Sequence, residues 1–227
     1  MVPALKPKRS RHPAAWGHLH TALALDWLIA PGITARPPEL DLPIEGMHGQ
    51  EPLRWWAAGS YCGALRHHLL NLRRTPSPQA LTSLVVGLAA ALRQELGAKQ
   101  TRAVLVPVAS WKRQANPLPQ QLAESLSQQL GCPLRPLLHR SRPVLGQHHL
   151  GRELRWANQA GAFSSEPPDT NRLGPRPMVL VVDDILTTGA TALAARDALQ
   201  AAGWRVAGIA CLARTPWQAK GHGESVI

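Results

Sequence analysis

The chain has 227 residues, of which 44% are apolar. That is enough for one sizeable α/β domain with an appended segment, or for two small domains, and it argues against wholesale disorder. Its formal charge of +11 points to an anionic partner, and no run reaches the eighteen or so apolar residues that a membrane span needs.

Residues 1–51 balance five basic against five acidic side chains and are rich in Pro, Gly and His. They are read as a basic, partly disordered start with a short helix near 20–30 and a loop through Pro37-Pro38. The apolar stretch Ala22-Leu-Ala-Leu25 is interrupted by Asp26 and Trp27, which makes a secretory signal the lesser reading. Residues 54–61 suit a strand. Leu65, Leu69 and Leu72 set a helical period over 64–72, and residues 80–96 predict a longer helix closed by Gly97. Residues 104–108 predict a buried strand, 118–130 a helix stopped by Gly131, and 134–138 a brief strand. A loop over 143–152 leads to one or two helical turns at 153–157. After a Pro/Ser/Asn connection at 164–177 come strand 178–183, helix 190–202 and strand 205–212. This alternation predicts a parallel sheet flanked by helices on both faces. The domain is expected over 52–216, with a flexible tail at 217–227.

Residues 52–163 hold fourteen Lys/Arg against Glu95, Glu124 and Glu153, so the whole charge excess lies in the middle of the chain. Cys62, Cys132 and Cys211 are far apart and odd in number. They read as reduced thiols of a cytoplasmic protein rather than a disulfide frame or a metal site.

The chemistry concentrates in the run VLVVDDILTTGAT, residues 179–191. Ligands of open α/β sheets bind beyond the carboxyl ends of the strands. Asp183 and Asp184 are expected there, out of the core, able to accept from vicinal hydroxyls and to reach a hydrated divalent cation. Thr187, Thr188, Gly189, Ala190 and Thr191 come just before a helix, where unpaired N–H groups and the helix dipole favour phosphate. Acids for a sugar and amides for a phosphate thus lie within the span of a sugar 5-phosphate. A plain strand-turn-helix with Thr191 as N-cap is the bland alternative.

The paired acids followed by Thr-Thr-Gly-Ala-Thr resemble the ribose-phosphate signature of type I phosphoribosyltransferases, which use phosphoribosyl pyrophosphate (PRPP). The resemblance implies that Asp183 and Asp184 hold the ribose and that Thr187 to Thr191 cradle the 5-phosphate. Tyr61-Cys-Gly-Ala-Leu-Arg-His-His-Leu-Leu, Val106-Pro-Val-Ala-Ser-Trp-Lys-Arg113, residues 147–163 and Leu212-Ala-Arg-Thr-Pro216 are similar to stretches of the ComF branch of that fold. The likeness covers about 54–216. It implies a type I phosphoribosyltransferase-like sheet with a small N-terminal hood, Mg²⁺ carried by PRPP and water, and diphosphate received by Ser110, Lys112 and Arg113. Read by themselves, residues 140–152 suit a flexible lid, with Gln147, His148, His149 and Arg152 closing on the site; an exposed loop pair is the bland alternative for the two histidines. Two departures stand out. The N-terminal segment lacks the cysteines of the family's zinc finger, so no zinc is expected. Gln114-Ala-Asn-Pro-Leu-Pro119 replaces the usual Arg-Gly-Phe-Asn-Gln, which bears on the acceptor pocket and on turnover.

The expected partners are PRPP and an unidentified nitrogen acceptor, with no membrane; a second copy of the chain is a further candidate. The competing reading is a competence-associated factor that binds single-stranded DNA without catalysis. Arg54, Arg66, Arg73, Arg74, Arg93 and Arg102 would then form a stripe, with Trp55, Trp56 or Trp111 stacking on bases. A generic nucleotide-binding module is weaker, since the chain lacks both the P-loop pattern and the dinucleotide glycine fingerprint.

Overall fold

The computed structural model describes residues 40, 42–97, 103–110, 116–144, 152–169 and 178–216. The chain divides into Met1–Pro38 and Glu39–Ile227, and all described residues belong to the second unit. The helix expected near 20–30 and the tail at 217–227 lie outside the described residues.

Twelve elements are described. They are β1 (Met47–Gly49), β2 (Trp55–Ser60), α1 (Gly63–Arg74), α2 (Pro78–Leu96), β3 (Ala103–Pro107), α3 (Leu118–Leu130), β4 (Leu138–Arg140), α4 (Arg152–Gln159), β5 (Phe163–Ser165), β6 (Met178–Leu186), α5 (Ala190–Ala201) and β7 (Arg205–Arg214). Five strands form one sheet in the order β1-β2-β7-β6-β3. All its pairings are parallel except β1 with β2. The fold is therefore mixed α/β with a mostly parallel central sheet. The antiparallel edge strand β1 falls in a stretch whose sequence shows little periodicity. β4 and β5 form a separate antiparallel pair. The strand expected over 134–138 is instead a single parallel bridge, Leu134 to Leu105, followed by β4.

Side-chain alternation divides β6, an interior strand, between two cores. Leu180 and Val182 pack with Leu69, Leu88 and Leu122 on the face covered by α1, α2 and α3. Val179 and Val181 pack with Ala195 and Leu199 of α5 on the other. β6 has four consecutive buried residues, Val179 to Val182, as a strand covered on both faces must. α2 starts at Pro78, whose missing N–H costs nothing in a first turn, and the Ser77 hydroxyl accepts from the Ala80 N–H at 3.4 Å. Its buried Leu81, Leu84, Leu88 and Leu92 recur at helical spacing. Among the described residues no helix is long and apolar enough to cross a membrane.

Candidate functional site

β3 and β6 run parallel with Pro107 opposite Val182, and the Val108 N–H donates to the Val182 oxygen at 2.8 Å. Their carboxyl ends therefore lie side by side, as the sequence suggested. A cleft of about 550 Å³ opens there, within the range of small-molecule sites. Asp183, Asp184, Thr187, Gly189, Ala190, Thr191 and Ser110 all line it. Of the other expected site residues, Thr188 is absent from this lining and borders a second cavity with Arg214 and Trp55. Lys112, Arg113 and Gln147 lie outside the described residues, as do His148 and His149. Arg152 opens α4, and its side chain is outside the described set.

β6 continues through both acids to Leu186, three residues further than the sequence suggests, because pairing with β7 carries it on: Asp183 faces Cys211 and Leu186 faces Arg214. Strand alternation then sends the two carboxylates to opposite faces. This is how the chain keeps two adjacent negative charges apart. Asp184 turns toward the α1–α3 face and is 3% exposed. Its Oδ2 accepts from Arg73 Nε at 2.7 Å, Arg73 Nη2 at 2.6 Å and Asn116 Nδ2 at 2.7 Å. Its Oδ1 accepts from the Ile185 N–H at 2.8 Å. The expectation that both acids stand out of the core is corrected here. Asp184 is buried, and its charge is met by a guanidinium and an amide, as a buried carboxylate requires.

Asp183 is the acid left to the cleft. Its Oδ1 accepts from the Asp184 N–H at 2.9 Å. Burial, and next the charge of Asp184, push its pKa up to about 8, against the pull of that N–H, Arg73 and Arg140. Arg140 lines the same cleft and is held in place on three sides. Nε donates to the Ala109 oxygen at 2.9 Å, Nη1 to Gln159 Oε1 at 3.0 Å, and the guanidinium lies 4.1 Å from the Phe163 ring centre. Burial lowers its pKa, and Asp183 opposes that. Arg155 of α4 and Tyr61 complete the wall.

Gly189, which also lines the cleft, caps α5 with φ of 84°. This left-handed conformation favours glycine, and a Cβ built there would overlap Pro52 Cγ. The Thr188 hydroxyl accepts from the Ala190 N–H at 3.4 Å. Thr191 is not the N-cap; it sits one residue inside the helix.

Asn116 was given no role by the sequence, Arg140 and Arg155 entered only as the start of the expected lid and within the family-like stretch 147–163, and Arg73 fell in the expected stripe. One signal was available for Arg73: it follows Leu65 and Leu69 at steps of four, on the buried side of α1. The other stripe residues scatter. Arg54 pairs with Glu95 and lies 5.1 Å from the Trp56 ring centre, while Arg93 donates to the Gln129 oxygen at 2.6 Å. Trp56 is 1% exposed, so it belongs to the core and offers no face to a base. Arg102 and Trp111 are outside the described residues.

No protein-family model matches the chain, and no curated protein matches it. Among solved structures, the chain is similar to the adenine phosphoribosyltransferase of Leishmania tarentolae. That likeness has a TM-score of 0.36 and 18% identity, over 62% of this chain and 73% of the other.

Proposed function

We propose that the cleft binds PRPP, with the Thr187–Thr191 loop taking the 5-phosphate and Asp183 the ribose hydroxyls. On this reading the chain passes the phosphoribosyl group to a nitrogen acceptor, as a ComF-type phosphoribosyltransferase-like protein, or binds PRPP without turnover. One observation carries the reading. A single cleft is lined both by an acid, Asp183, and by a glycine-capped helix N-terminus only a few residues away in sequence. Ser110, Arg140 and Arg155 on the same wall suit the diphosphate, as Lys112 and Arg113 do by sequence.

The donor set fits magnesium arriving with its substrate. Among the described residues no three His, Cys, Asp or Glu side chains cluster to hold an ion, and Asp184 is taken by Arg73 and Asn116. Asp183 is then the carboxylate that would meet the ion. When bound, the ion would neutralise charge on the leaving diphosphate.

In the transfer, the bond from the anomeric carbon to diphosphate breaks with its electron pair leaving on the diphosphate oxygen. The lone pair of the acceptor nitrogen forms the new bond, and the proton of that nitrogen passes to water. Arg140 and Arg155 receive the departing charge. Asp183 sets a carboxylate beside a ring that becomes cation-like, and the growing positive charge favours the carboxylate anion over its neutral form. Asp184, fixed by Arg73 and Asn116, keeps the strand end in place.

Calorimetry with Mg²⁺ and PRPP tests the binding. The wild-type chain should bind, and Asp183→Asn should weaken binding about tenfold or more. Wild-type affinity in that variant would refute the ribose assignment. Pyrophosphate release in the presence of a panel of free bases then separates transfer from binding alone.

A further inference from the structure

Behind the Thr187–Thr191 loop stands a charge that the mechanism above does not use. Arg214, the last residue of β7, is 8% exposed. Its Nη1 donates to the Leu186 oxygen at 3.0 Å and also to the Thr187 oxygen. The Leu186 oxygen takes a second donor, the Thr215 N–H, at 3.0 Å. The guanidinium lies 5.7 Å from the Trp55 ring centre. Two successive peptide oxygens of the loop are thus drawn toward one cation.

Both peptides are trans, since among the described residues the cis bond is Glu51–Pro52. In a trans peptide the C=O and N–H point in opposite directions. The Leu186 oxygen shares its peptide with the Thr187 N–H, and the Thr187 oxygen shares its peptide with the Thr188 N–H. Oxygens gathered on Arg214 therefore aim both N–H groups away from it. Arg214 and Thr188 line a second cavity of about 590 Å³. Leu186, Thr187 and Gly189 line the cleft.

We infer that Arg214 is a positioning residue for the anion site: by holding the Leu186 and Thr187 carbonyls it turns the Thr187 and Thr188 N–H groups to face an incoming phosphate. The ligand in this inference rests on the sugar-phosphate reading. Arginine suits the task, because its planar fork fixes several N–H directions at once and it stays charged. A cation this buried is also poorly screened, so it adds attraction for an anion across the loop. Preset amides of this kind need no reorganisation when the anion arrives.

The test titrates inorganic phosphate and ribose 5-phosphate into the full-length wild type, Arg214→Lys and Arg214→Met. Calorimetry gives affinity, and amide proton shifts report Thr187 and Thr188. The wild type should bind ribose 5-phosphate and shift both amides. Arg214→Met should weaken binding about ten- to a hundredfold and lose both shifts, on the scale of one charge-assisted hydrogen bond. Arg214→Lys, with the charge but not the fork, should fall between. Wild-type affinity with both shifts intact in the variants overturns the inference and leaves the sugar-phosphate reading standing. If the methionine variant does not fold, the lysine variant decides by the same two readouts. If the wild type binds neither compound, the sugar-phosphate reading fails and the inference falls with it.

Discussion

Asp184 and Arg73 form a buried ion pair in which each partner makes the other tolerable. The Asp184 side chain is 5% exposed and that of Arg73 26%. Removing Arg73 leaves a buried carboxylate held only by the Asn116 amide and the Ile185 N–H, a loss on the order of 3 kcal/mol. Removing both costs less, because the desolvation penalty goes with the charge. Arg73→Met should therefore destabilise the chain by about 3 kcal/mol. Asp184→Asn should cost less than that, because a neutral amide keeps part of the hydrogen bonding. The double variant should recover much of the loss. Urea denaturation of the four proteins measures the coupling directly. Additive losses would mean that the pair contributes nothing beyond its separate contacts.

α5 joins stability and binding in one element, and its two ends allow them to be separated. Leu199, fully buried near its C-terminus, packs into the core beside Val179 and Val181. Gly189 at its start carries the left-handed turn that Pro52 covers. Leu199→Ala should cost about 2–5 kcal/mol and leave ribose 5-phosphate binding unchanged in the folded protein. Gly189→Ala should cost about 1–3 kcal/mol through backbone strain and its overlap with Pro52, and should abolish binding. Denaturation paired with calorimetry checks both. Equal binding losses in the two variants would mean that the loop has no separate role. The elements also show what the sequence can carry. α3 runs from Leu118 to Leu130 as predicted, because Pro117 and Gly131 punctuate it chemically. β6 outruns its predicted end because acids are poor strand formers by themselves, while the ladder to β7 is a long-range fact. β1 and β5, of three residues each, are too short to show a period, so only their partners define them. The site divides in the same way. The loop and the acids form one contiguous run, whereas Asn116, Arg140 and Arg214 come from distant parts of the chain, and no local pattern says that they meet it.

The molecule as a whole has a sheet whose carboxyl edge gathers charge of both signs, and the balance there depends on pH. Asp183 is the group that sets the sign. Its pKa in the folded chain stands at about 8, against about 3.9 for an unfolded aspartate. Between those values the folded chain keeps a proton that the unfolded chain has lost. Stability from this group is then fully present below about pH 4 and is lost as pH rises toward 8. Cys211, opposite Asp183 on β7, does not blur the window: burial, and next the charge of Asp183, push its thiol well above the ordinary range, so it stays protonated throughout. Asparagine at 183 removes the titration without changing the size of the side chain. Urea midpoints at about pH 5, 6.5 and 8 should fall with pH in the wild type and fall less steeply in Asp183→Asn. The difference between the two proteins should therefore shift in favour of the variant as pH rises. Parallel profiles would mean that Asp183 is already ionised at pH 5 in the free chain, and that Arg73 and Arg140 outweigh burial at the end of β6.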